Sequence, residues 1–273
     1  MPIDKAVILA AGLGNRISKV GTTPKPLLAL DGSPPGDGGP TFLDWHIERL
    51  SAIGVSEIYL VGNTRTFETP LAATACPRDG TTVRWILNPA EDLSRSGSGH
   101  SASYAWKSEH GILDGRSNVV LMDADILYEP LVLDILSGAT MSGSSATLVC
   151  ASYRDSNEEV MVFGTGQRAA MHGKGLLHTG LTHGLECFGE ATGMVLFAPG
   201  DHDLVREATE WCMRYSTAKE RSEHEDITQR MMNVGRIEIA SFRDLLFMEC
   251  DTPDEYEVLT TDFYTRVLER TRG

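Results

Sequence analysis

A short apolar run that ends in a glycine-rich turn constrains this chain more than any other stretch. Residues 6–10, A-V-I-L-A, have the character of a strand that is buried on both faces of a parallel sheet. Gly12 and Gly14 follow at once, and we expect both to take positive φ angles and to let the backbone approach a ligand. Successive N–H groups in such a turn can hold phosphate oxygens. An ordinary strand-to-helix turn would explain a lone G-x-G equally well.

Two cations close to this turn favour a phosphate ligand. Arg16 carries a planar fork of donors that suits a pyrophosphate. Lys25 lies between Pro24 and Pro26, whose rings fix the backbone φ angle on both sides and so hold the lysine on a short, rigid loop. The glycine turn and the two cations together predict a nucleoside triphosphate site.

The pair of motifs L-A-A-G-L-G-N-R and P-K-P-L resembles the signature of nucleotidyltransferases that act on sugar phosphates and other small molecules. It differs from the dinucleotide fingerprint, which has a third glycine, and from a Walker A loop, which needs G-K-S or G-K-T. The resemblance implies an α/β fold of GT-A-like (Rossmann-like) type, a three-layer α/β/α sandwich with a mixed, mostly parallel sheet. It also implies catalytic roles for Arg16 and Lys25. The nucleotide contacts that it implies are Leu9, Ala10, Ala11, Gly12 and Gly14.

The order of predicted elements agrees with a parallel doubly wound sheet in the first third of the chain. Residues 41–54 carry an apolar helical pattern with a threonine N-cap and a final glycine. Strands are predicted over residues 57–62 and 83–87, with a helix over 65–75 between them. The segment 31–40, D-G-S-P-P-G-D-G-G-P, is too rich in glycine and proline for either element, and we expect a mobile excursion that covers the site.

We interpret the 273 residues as one domain, with nucleotide-binding residues in about 1–128, acceptor-binding residues in about 129–250 and a C-terminal helix over 253–271. The net charge of -14 argues against nucleic acid or an anionic membrane as a partner, and it is compatible with a magnesium enzyme. The five cysteines are scattered, so neither a disulfide framework nor a structural zinc site is predicted. Because no apolar stretch approaches the roughly 20 residues of a membrane span and M-P-I-D-K does not start a signal peptide, we expect a cytoplasmic protein.

Two later segments of the nucleotide half also resemble the family. The sequence G-S-G-H-S begins at Gly97 and takes the place of a G-T-G-H-A type segment that contacts the base, which implies nucleotide contacts for Gly97 and Ser98. A flexible loop with a serine cap is the alternative. A predicted strand over residues 118–122 runs into D-A-D, at the end of a strand where ligands gather in open α/β sheets. The resemblance implies Asp125 as the main Mg²⁺ ligand and Asp123 as a water-mediated partner on the nucleotide side, whereas a cap of the next helix is the alternative.

The second half of the chain carries the residues that the resemblance assigns to the acceptor. In that family a glutamate and a T-G pair contact the acceptor, and Glu190, Thr192 and Gly193 match them with a spacing one residue shorter. Glu225 and Asp226 stand in S-E-H-E-D at the start of a predicted helix. They either contact substrate or serve the helix dipole.

Asp251 follows a predicted buried strand and precedes T-P at the start of the C-terminal helix. The resemblance implies that it is the second metal ligand, together with Asp125. A magnesium ion that bridges substrate phosphates needs only one or two carboxylates. Asp251 could instead be only an N-cap.

These matches indicate transfer of a nucleotidyl group, in which a phosphate or phosphonate oxygen attacks the α-phosphorus of a nucleoside triphosphate and pyrophosphate leaves. The segments D-A-D-I-L-Y and E-C-D-T-P-D-E-Y resemble the CTP-using branch that activates phosphocholine or small phosphonates. We therefore expect a CTP-dependent cytidylyltransferase. Since only 7% of residues are aromatic and none cluster near the acceptor segments, a choline cage is not evident, and we expect an anionic or amino phosphonate. Its candidate anchors are Arg168, Lys174, Arg214 and Arg221.

Three other functions stay open at this point. A sugar-1-phosphate nucleotidyltransferase would use UTP, dTTP or GTP. A GT-A glycosyltransferase would also use D-A-D for a metal, but it would not need the motifs at residues 9–16 and 24–27, and it would release no pyrophosphate. A noncatalytic nucleotide sensor would bind CTP without turnover, and the presence of Lys25, Asp125 and Asp251 argues against it. A homodimer is compatible with the sequence.

Overall fold

The computed structural model describes residues 2–34, 37–68, 80–90, 96–153, 158–177, 179–215 and 222–272. Its strands are β1 (Lys5–Ala10), β2 (Glu57–Gly62), β3 (Thr82–Leu87), β4 (Val119–Asp123), β5 (Ile126–Tyr128), β6 (Ser145–Cys150), β7 (Met161–Thr165), β8 (Arg168–Gly173), β9 (Glu186–Phe197), β10 (Ile237–Phe242) and β11 (Phe247–Glu249). Its helices are α1 (Phe42–Ala52), α2 (Thr64–Glu68), α3 (Ser98–Lys107), α4 (Leu131–Ala139), α5 (His202–Tyr215), α6 (His224–Asn233), α7 (Pro253–Val258) and α8 (Tyr264–Arg272).

A nine-stranded mixed sheet forms the centre of the fold, in the order β3-β2-β1-β4-β9-β6-β10-β8-β7. The neighbours β3, β2, β1 and β4 are parallel, so their carboxyl ends share one edge. β9 runs antiparallel between β4 and β6. A separate two-stranded ribbon pairs β11 with β5 and sets Glu249 opposite Ile126. The ribbon therefore brings the segment after β11 next to the segment after β4.

Helices cover both faces of the sheet because side chains alternate along its strands. Ile8 and Ala10 of β1 join the core beneath α1 and α4, whereas Val7 and Leu9 join the core beneath α3, α5 and α6. Thr41 caps α1 in a capping box, as its threonine and the apolar pattern predict. Each fully buried aliphatic side chain contributes about 1.5–3 kcal/mol to this arrangement. The carboxyl edge of the parallel strands is thereby held rigidly from both sides.

The described elements confirm the predicted alternation of strands and helices in the first third of the chain. The strand over residues 57–62 is β2, with the predicted bounds. The helix predicted over 65–75 begins as α2, and residues 69–79 lie outside the described part of the chain. The segment G-S-G-H-S, which begins at Gly97, opens α3, and this helix ends at Lys107 because Ser108 takes an extended conformation.

Two further predictions concern irregular backbone. The described part of the segment 31–40 is neither helix nor strand, as predicted, and Ser33 N donates to the Asp31 carboxylate at 3.0 Å. The predicted C-terminal helix consists of α7 and α8, which a π-helical stretch over Leu259–Phe263 joins. This helix buries Leu259 and packs against the core beneath α1 and α4.

Candidate active site

A cleft of about 1090 Å³ opens at the carboxyl ends of β1 and β4. This is the edge at which open α/β sheets bind their ligands. None of the described residues of the segment 31–40 lines it, so the expectation that this segment covers the site gains no support. The sequence-predicted residues that line the cleft are Leu9, Ala11, Gly12, Gly14, Arg16, Lys25, Gly97, Ser98, Asp123, Asp125, Glu190, Gly193, Glu225 and Asp251.

The glycine turn after β1 forms one wall of the cleft. Gly14 has φ 62° and ψ 29°, in the left-handed region, as predicted. A Cβ at Gly14 would lie 3.4 Å from Cβ of Lys25, so the turn packs closely on the lysine loop. The prediction of a positive φ at Gly12 is wrong. Nothing lies within 4 Å of the place where a Cβ of Gly12 would stand, so this residue leaves open space beside the backbone.

Lys25 lies between the two aspartates that the sequence pairs. Its Nζ is 2.5 Å from Oδ2 of Asp125 and 2.6 Å from Oδ1 of Asp251, and 8% of its side chain is exposed. Burial opposes the charge of Lys25, but the two carboxylates outweigh burial and hold its pKa above the usual value. Arg16 lies 2.6 Å from the other oxygen of Asp251. Lys25 and Arg16 keep the pKa of Asp251 below its usual value, although burial acts in the opposite direction.

A third carboxylate, Glu249, completes an acidic cluster. Asp125, Glu249 and Asp251 each offer a ligand atom, and these atoms lie within 4.8 Å of one another. Glu249 is partly open to solvent in the cleft, but desolvation by the surrounding protein and repulsion from Asp125 and Asp251 raise its pKa. Added positive charge would let Glu249 ionise, and an all-oxygen donor set is the kind that Mg²⁺ prefers. The residues present therefore fit a magnesium ion.

Backbone hydrogen bonds join the two halves of this cluster. Cys250 N donates to the carbonyl of Asp125 at 3.0 Å. The Glu255 carboxylate accepts from the backbone N of Asp251 and of Thr252, both at 2.8 Å. Thr252 is the N-cap of α7, so the alternative that Asp251 is itself that cap is wrong. The carboxylate of Asp251 therefore does not cap the helix and instead contacts Arg16 and Lys25.

A buried histidine supports the D-A-D turn from behind. His46 is fully buried on α1, with Nε2 at 3.3 Å from the carbonyl of Ala124 and Nδ1 at 3.2 Å from the hydroxyl of Tyr128. Burial lowers the pKa of His46 to about 4, so the ring is neutral near neutral pH. Since a carbonyl only accepts, Nε2 carries the proton and Nδ1 accepts from Tyr128. The turn lies between β4 and β5 and does not cap a helix, because the residue before α4 is Pro130 and not an aspartate.

The segment that begins at Gly97 meets the start of α6. Ser98 donates from its backbone N and its hydroxyl to one oxygen of Glu223, at 2.7 and 2.8 Å. Its hydroxyl accepts from His224 N at 2.8 Å. A Cβ at Gly97 would lie 2.2 Å from the carbonyl oxygen of Ser222, so only glycine fits there. Gly97 and Ser98 line the cleft, but their polar contacts are to protein.

Asp123 forms an ion pair across the cleft wall. Its Oδ2 is 3.1 Å from Nε2 of His224, which is 3% exposed. Burial opposes the charge on His224, but Glu225 and Asp123 outweigh burial and raise the pKa of the imidazole. Gly193 has φ 71°, and a Cβ there would lie 2.3 Å from the same oxygen of Asp123. The carboxylate thus fills the space that a side chain would need.

Three sequence-predicted site residues do not line the cleft, and these assignments are corrected. Ala10 is buried in β1 on the face beneath α1. Thr192 is 2% exposed and donates its hydroxyl to the carbonyl of Leu148 at 3.0 Å, inside the sheet. Asp226 is exposed and accepts from Glu223 N at 2.9 Å, which makes it a helix cap.

The four candidate anchors for an anionic acceptor differ in position. Lys174 lines the cleft. Arg168 donates to the carbonyl of Gly235 at 3.0 Å, and Arg214 is exposed on α5, and neither lines the cleft. Arg221 lies outside the described residues. The structure therefore favours Lys174 among the three that it describes.

Sequence reasoning missed Glu249, Glu223 and His224. Glu249 stands two residues before Asp251, and alternation along an extended chain directs such a pair to one side, so a signal was present. His224 and Glu223 lie among the acidic residues that open α6, where charge at a helix start explains them equally well. Nothing in the sequence shows that α6 begins against α3.

The comparisons with known proteins agree with this geometry. Residues 6–174, more than half of the chain, match the family described as the MobA-like NTP transferase domain. The chain belongs to this family. The resemblance inferred from the glycine turn and the lysine loop is thus confirmed.

One relative of this MobA-like NTP transferase is the CMP-5'-(3-aminopropyl)phosphonate synthase of Streptomyces rubellomurinus (strain ATCC 31215). It is 31% identical over 144 residues, which make up 52% of this chain. The matched stretch spans only 20% of the length of that relative.

Two solved structures share the fold. The inositol-1-phosphate CTP transferase from T. maritima has a TM-score of 0.72 and 17% identity, over 95% of this chain and 96% of that one. UDP-glucose pyrophosphorylase complexed with UDP-glucose has a TM-score of 0.71 and 14% identity, over 97% and 99% of the two chains. These likenesses confirm an α/β nucleotidyltransferase fold with a mixed sheet. Within the described residues, no helix has the length and apolar character that a membrane crossing requires.

Proposed function

We propose that this chain transfers the CMP group of CTP to a small phosphonate or phosphate monoester and releases pyrophosphate. The observation that carries the proposal is the position of Lys25 between Asp125 and Asp251, with Arg16 beside them, in the cleft of a MobA-like NTP transferase. Cations and carboxylates in alternation suit a triphosphate whose charge is shared between protein and metal. For the fold, we propose the GT-A-like class, a three-layer α/β/α sandwich.

The proposed reaction is an in-line displacement at the α-phosphorus. An acceptor oxygen forms a bond to phosphorus as the bond to the β-phosphate oxygen breaks, and the pyrophosphate takes both electrons of that bond. Lys25 would neutralise charge that develops on the α-phosphate, since the neighbouring carboxylates keep it protonated. Arg16, on the open side of the glycine turn, would hold the leaving pyrophosphate.

The metal would be held by Asp125 and Asp251, with Glu249 as the third carboxylate. A bound Mg²⁺ supplies charge neutralisation and alignment of the phosphate oxygens. The rest of the assignment concerns this chain's own residues. Leu9, Ala11, Gly12 and Gly14 would contact the nucleotide through the backbone, and Gly97 and Ser98 would border the nucleoside.

The choice of CTP and a phosphonate is supported by two sequence segments, by one relative and by the charged residues of the cleft. The segments around Asp125 and Asp251 resemble the CTP-using branch, and the relative at 31% identity is named for a CMP-linked aminopropylphosphonate. Lys174, Glu190 and Glu225 also line the cleft, and Lys174 is one of the positive charges that lower the pKa of Glu225. This mixture of charges suits an acceptor that carries both a phosphonate and an amino group.

A panel of substrates tests the proposal. Purified protein with Mg²⁺ is given CTP, UTP, ATP or GTP, each with 2-aminoethylphosphonate, other phosphonates, phosphocholine or glucose 1-phosphate. Pyrophosphate release is followed by a coupled assay, and the product is identified by ³¹P NMR. We expect turnover with CTP and a phosphonate or phosphate monoester, and loss of turnover in Asp251→Asn.

Two results would reject the proposal in different ways. Turnover confined to glucose 1-phosphate with UTP or GTP would indicate a sugar-1-phosphate nucleotidyltransferase. CTP binding without pyrophosphate release from any acceptor would indicate a nucleotide sensor.

A further inference from the structure

Two buried side chains near the start of α2 hold the carbonyl groups of the glycine turn from behind. Asn63 Nδ2 donates to the carbonyl of Ala11 at 2.8 Å. The hydroxyl of Thr66 has two acceptors for its one proton, the carbonyl of Ala10 at 3.2 Å and Oδ1 of Asn63 at 3.3 Å. Asn63 is 3% exposed and Thr66 is fully buried, and neither lines the cleft. We call this pair the Asn63–Thr66 bracket.

The bracket is also connected within itself. The side-chain carbonyl of Asn63 accepts from Thr66 N at 3.1 Å, which caps the short helix α2. The orientation of the Asn63 amide is therefore fixed, because Oδ1 accepts a hydrogen bond from α2 and Nδ2 donates one to the glycine turn. One asparagine couples the position of α2 to the conformation of the turn.

Peptide geometry converts these bonds into an orientation of N–H groups. In a planar trans peptide the C=O of one residue and the N–H of the next point to opposite sides, and the described chain contains no cis peptide. Because the carbonyl of Ala11 points to Asn63, the N–H of Gly12 points away from α2. The carbonyl of Ala10 points to Thr66, so the N–H of Ala11 likewise points away from α2. Ala11 and Gly12 line the cleft, whereas Asn63 and Thr66 do not.

We infer that Asn63 and Thr66 are positioning residues for the phosphate groups of the nucleoside triphosphate. The bracket holds two carbonyl oxygens out of the cleft, so that the turn offers N–H donors to an anion and no lone pairs. Without it, either peptide plane can rotate and present an oxygen to the phosphates, which repels them. This inference rests on the proposed function in one respect only, namely that the glycine turn binds a triphosphate.

If Thr66 only stabilised the fold, its substitution would change the melting temperature and not the binding of a triphosphate. Conservative variants separate this role from a positioning role. Thr66→Val keeps the branched shape and removes the hydroxyl, while Thr66→Ser keeps the hydroxyl and removes a methyl group. Thr209→Val is the matched control, since Thr209 is 2% exposed and donates its hydroxyl to the carbonyl of Val205 at 2.7 Å within α5. It does not line the cleft.

The experiment measures triphosphate binding without an acceptor, so it does not depend on which reaction the protein catalyses. The wild type is titrated calorimetrically with CTP, UTP, ATP and GTP in the presence of Mg²⁺, and the tightest ligand is used for the variants. We expect Kd to rise about fivefold or more in Thr66→Val, as the loss of one neutral hydrogen bond predicts. Thr66→Ser is expected to stay within about twofold of the wild type, and Thr209→Val to be unchanged.

Melting temperatures of all variants are recorded beside the titrations. If Thr66→Val does not fold, Asn63→Asp replaces it, because aspartate still caps α2 but sets an acceptor against the carbonyl of Ala11. Equal Kd values in Thr66→Val and Thr209→Val would overturn the inference while leaving cytidylyl transfer intact. A wild type that binds none of the four triphosphates would overturn both the inference and the proposed function. Weakened binding in Thr66→Val without any turnover in the substrate panel would uphold the inference and reject the proposed function.

Discussion

Replacing Lys25 by methionine is the sharpest test of the electrostatics at the site. In the wild type the ammonium group separates two carboxylates that are 2.5 and 2.6 Å from its nitrogen. Methionine keeps most of the volume but removes the charge, so Asp125 and Asp251 face each other with oxygens at most 4.8 Å apart. At an effective dielectric constant of about 20, their repulsion is about 3 kcal/mol. We therefore expect Lys25→Met to lower the free energy of unfolding in EDTA by about 3 kcal/mol.

A divalent cation should reverse this loss, since it neutralises the same two carboxylates. Mg²⁺ is thus expected to raise the free energy of unfolding of Lys25→Met, measured by urea denaturation, by more than it raises that of the wild type. Pyrophosphate release should nevertheless stay at least about a thousandfold below the wild-type rate, because the metal does not replace the ammonium at the α-phosphate.

Lys5 provides a matched control at the opposite end of β1. It is 7% exposed, and its nitrogen lies 2.9 Å from the carboxylate of Asp114. Lys5→Met should also lose stability, but without any recovery in Mg²⁺. The reasoning is refuted if Lys25→Met is as stable as the wild type in EDTA and gains no more from Mg²⁺ than Lys5→Met does.

Three further predictions follow from single contacts. Gly193→Ala places a Cβ 2.3 Å from the Asp123 carboxylate at a φ of 71°, so urea denaturation should show a free energy of unfolding lower by about 2 kcal/mol or more. Gly166→Ala is the control, because Gly166 has φ 62° with open space around it, and it should lose only about 1 kcal/mol. Equal losses in the two variants would contradict the clash with Asp123. Hydrogen bonds from Lys5 and Ser117 hold the pKa of Asp114 below its usual value, although burial opposes them. The stability that this carboxylate contributes is therefore present above its unfolded pKa and is lost as the pH falls below about 4. Urea titrations at several pH values should show a smaller loss in Asp114→Asn. Thr192→Val removes a hydroxyl that bonds inside the sheet, so it should cost about 1 kcal/mol and leave the KM for the acceptor unchanged, whereas a raised KM would return this residue to the site.

The central charges of the site were predictable because they depend on sheet topology. Asp125 and Asp251 each follow a short strand, and carboxyl ends of strands gather ligands in this class of fold. Lys25 was predictable because its flanking prolines leave its loop few conformations. What the sequence did not reveal is that Lys25 itself bridges the two aspartates, since that depends on the pairing of β5 with β11.

The errors have local causes that sequence spacing does not encode. The T-G pair at Thr192 was assigned to the acceptor, but the register of β9 against β6 shifts between Val195 and Ala191, and this bulge directs the threonine hydroxyl into the sheet. Glu225 and Asp226 are neighbours on a helix, so they lie about 100° apart around its axis. Only Glu225 faces the cleft.

The separate β5–β11 ribbon has a consequence for the biosynthesis of this protein. Its two strands come from distant parts of the chain, and the backbone bond from Cys250 to Asp125 closes across them. On the ribosome, the first strands of the large sheet and the glycine turn can assemble while β11 is still untranslated. Until β11 emerges, Lys25 lacks one of its two acidic partners, so the charged centre is among the last parts of the molecule to form.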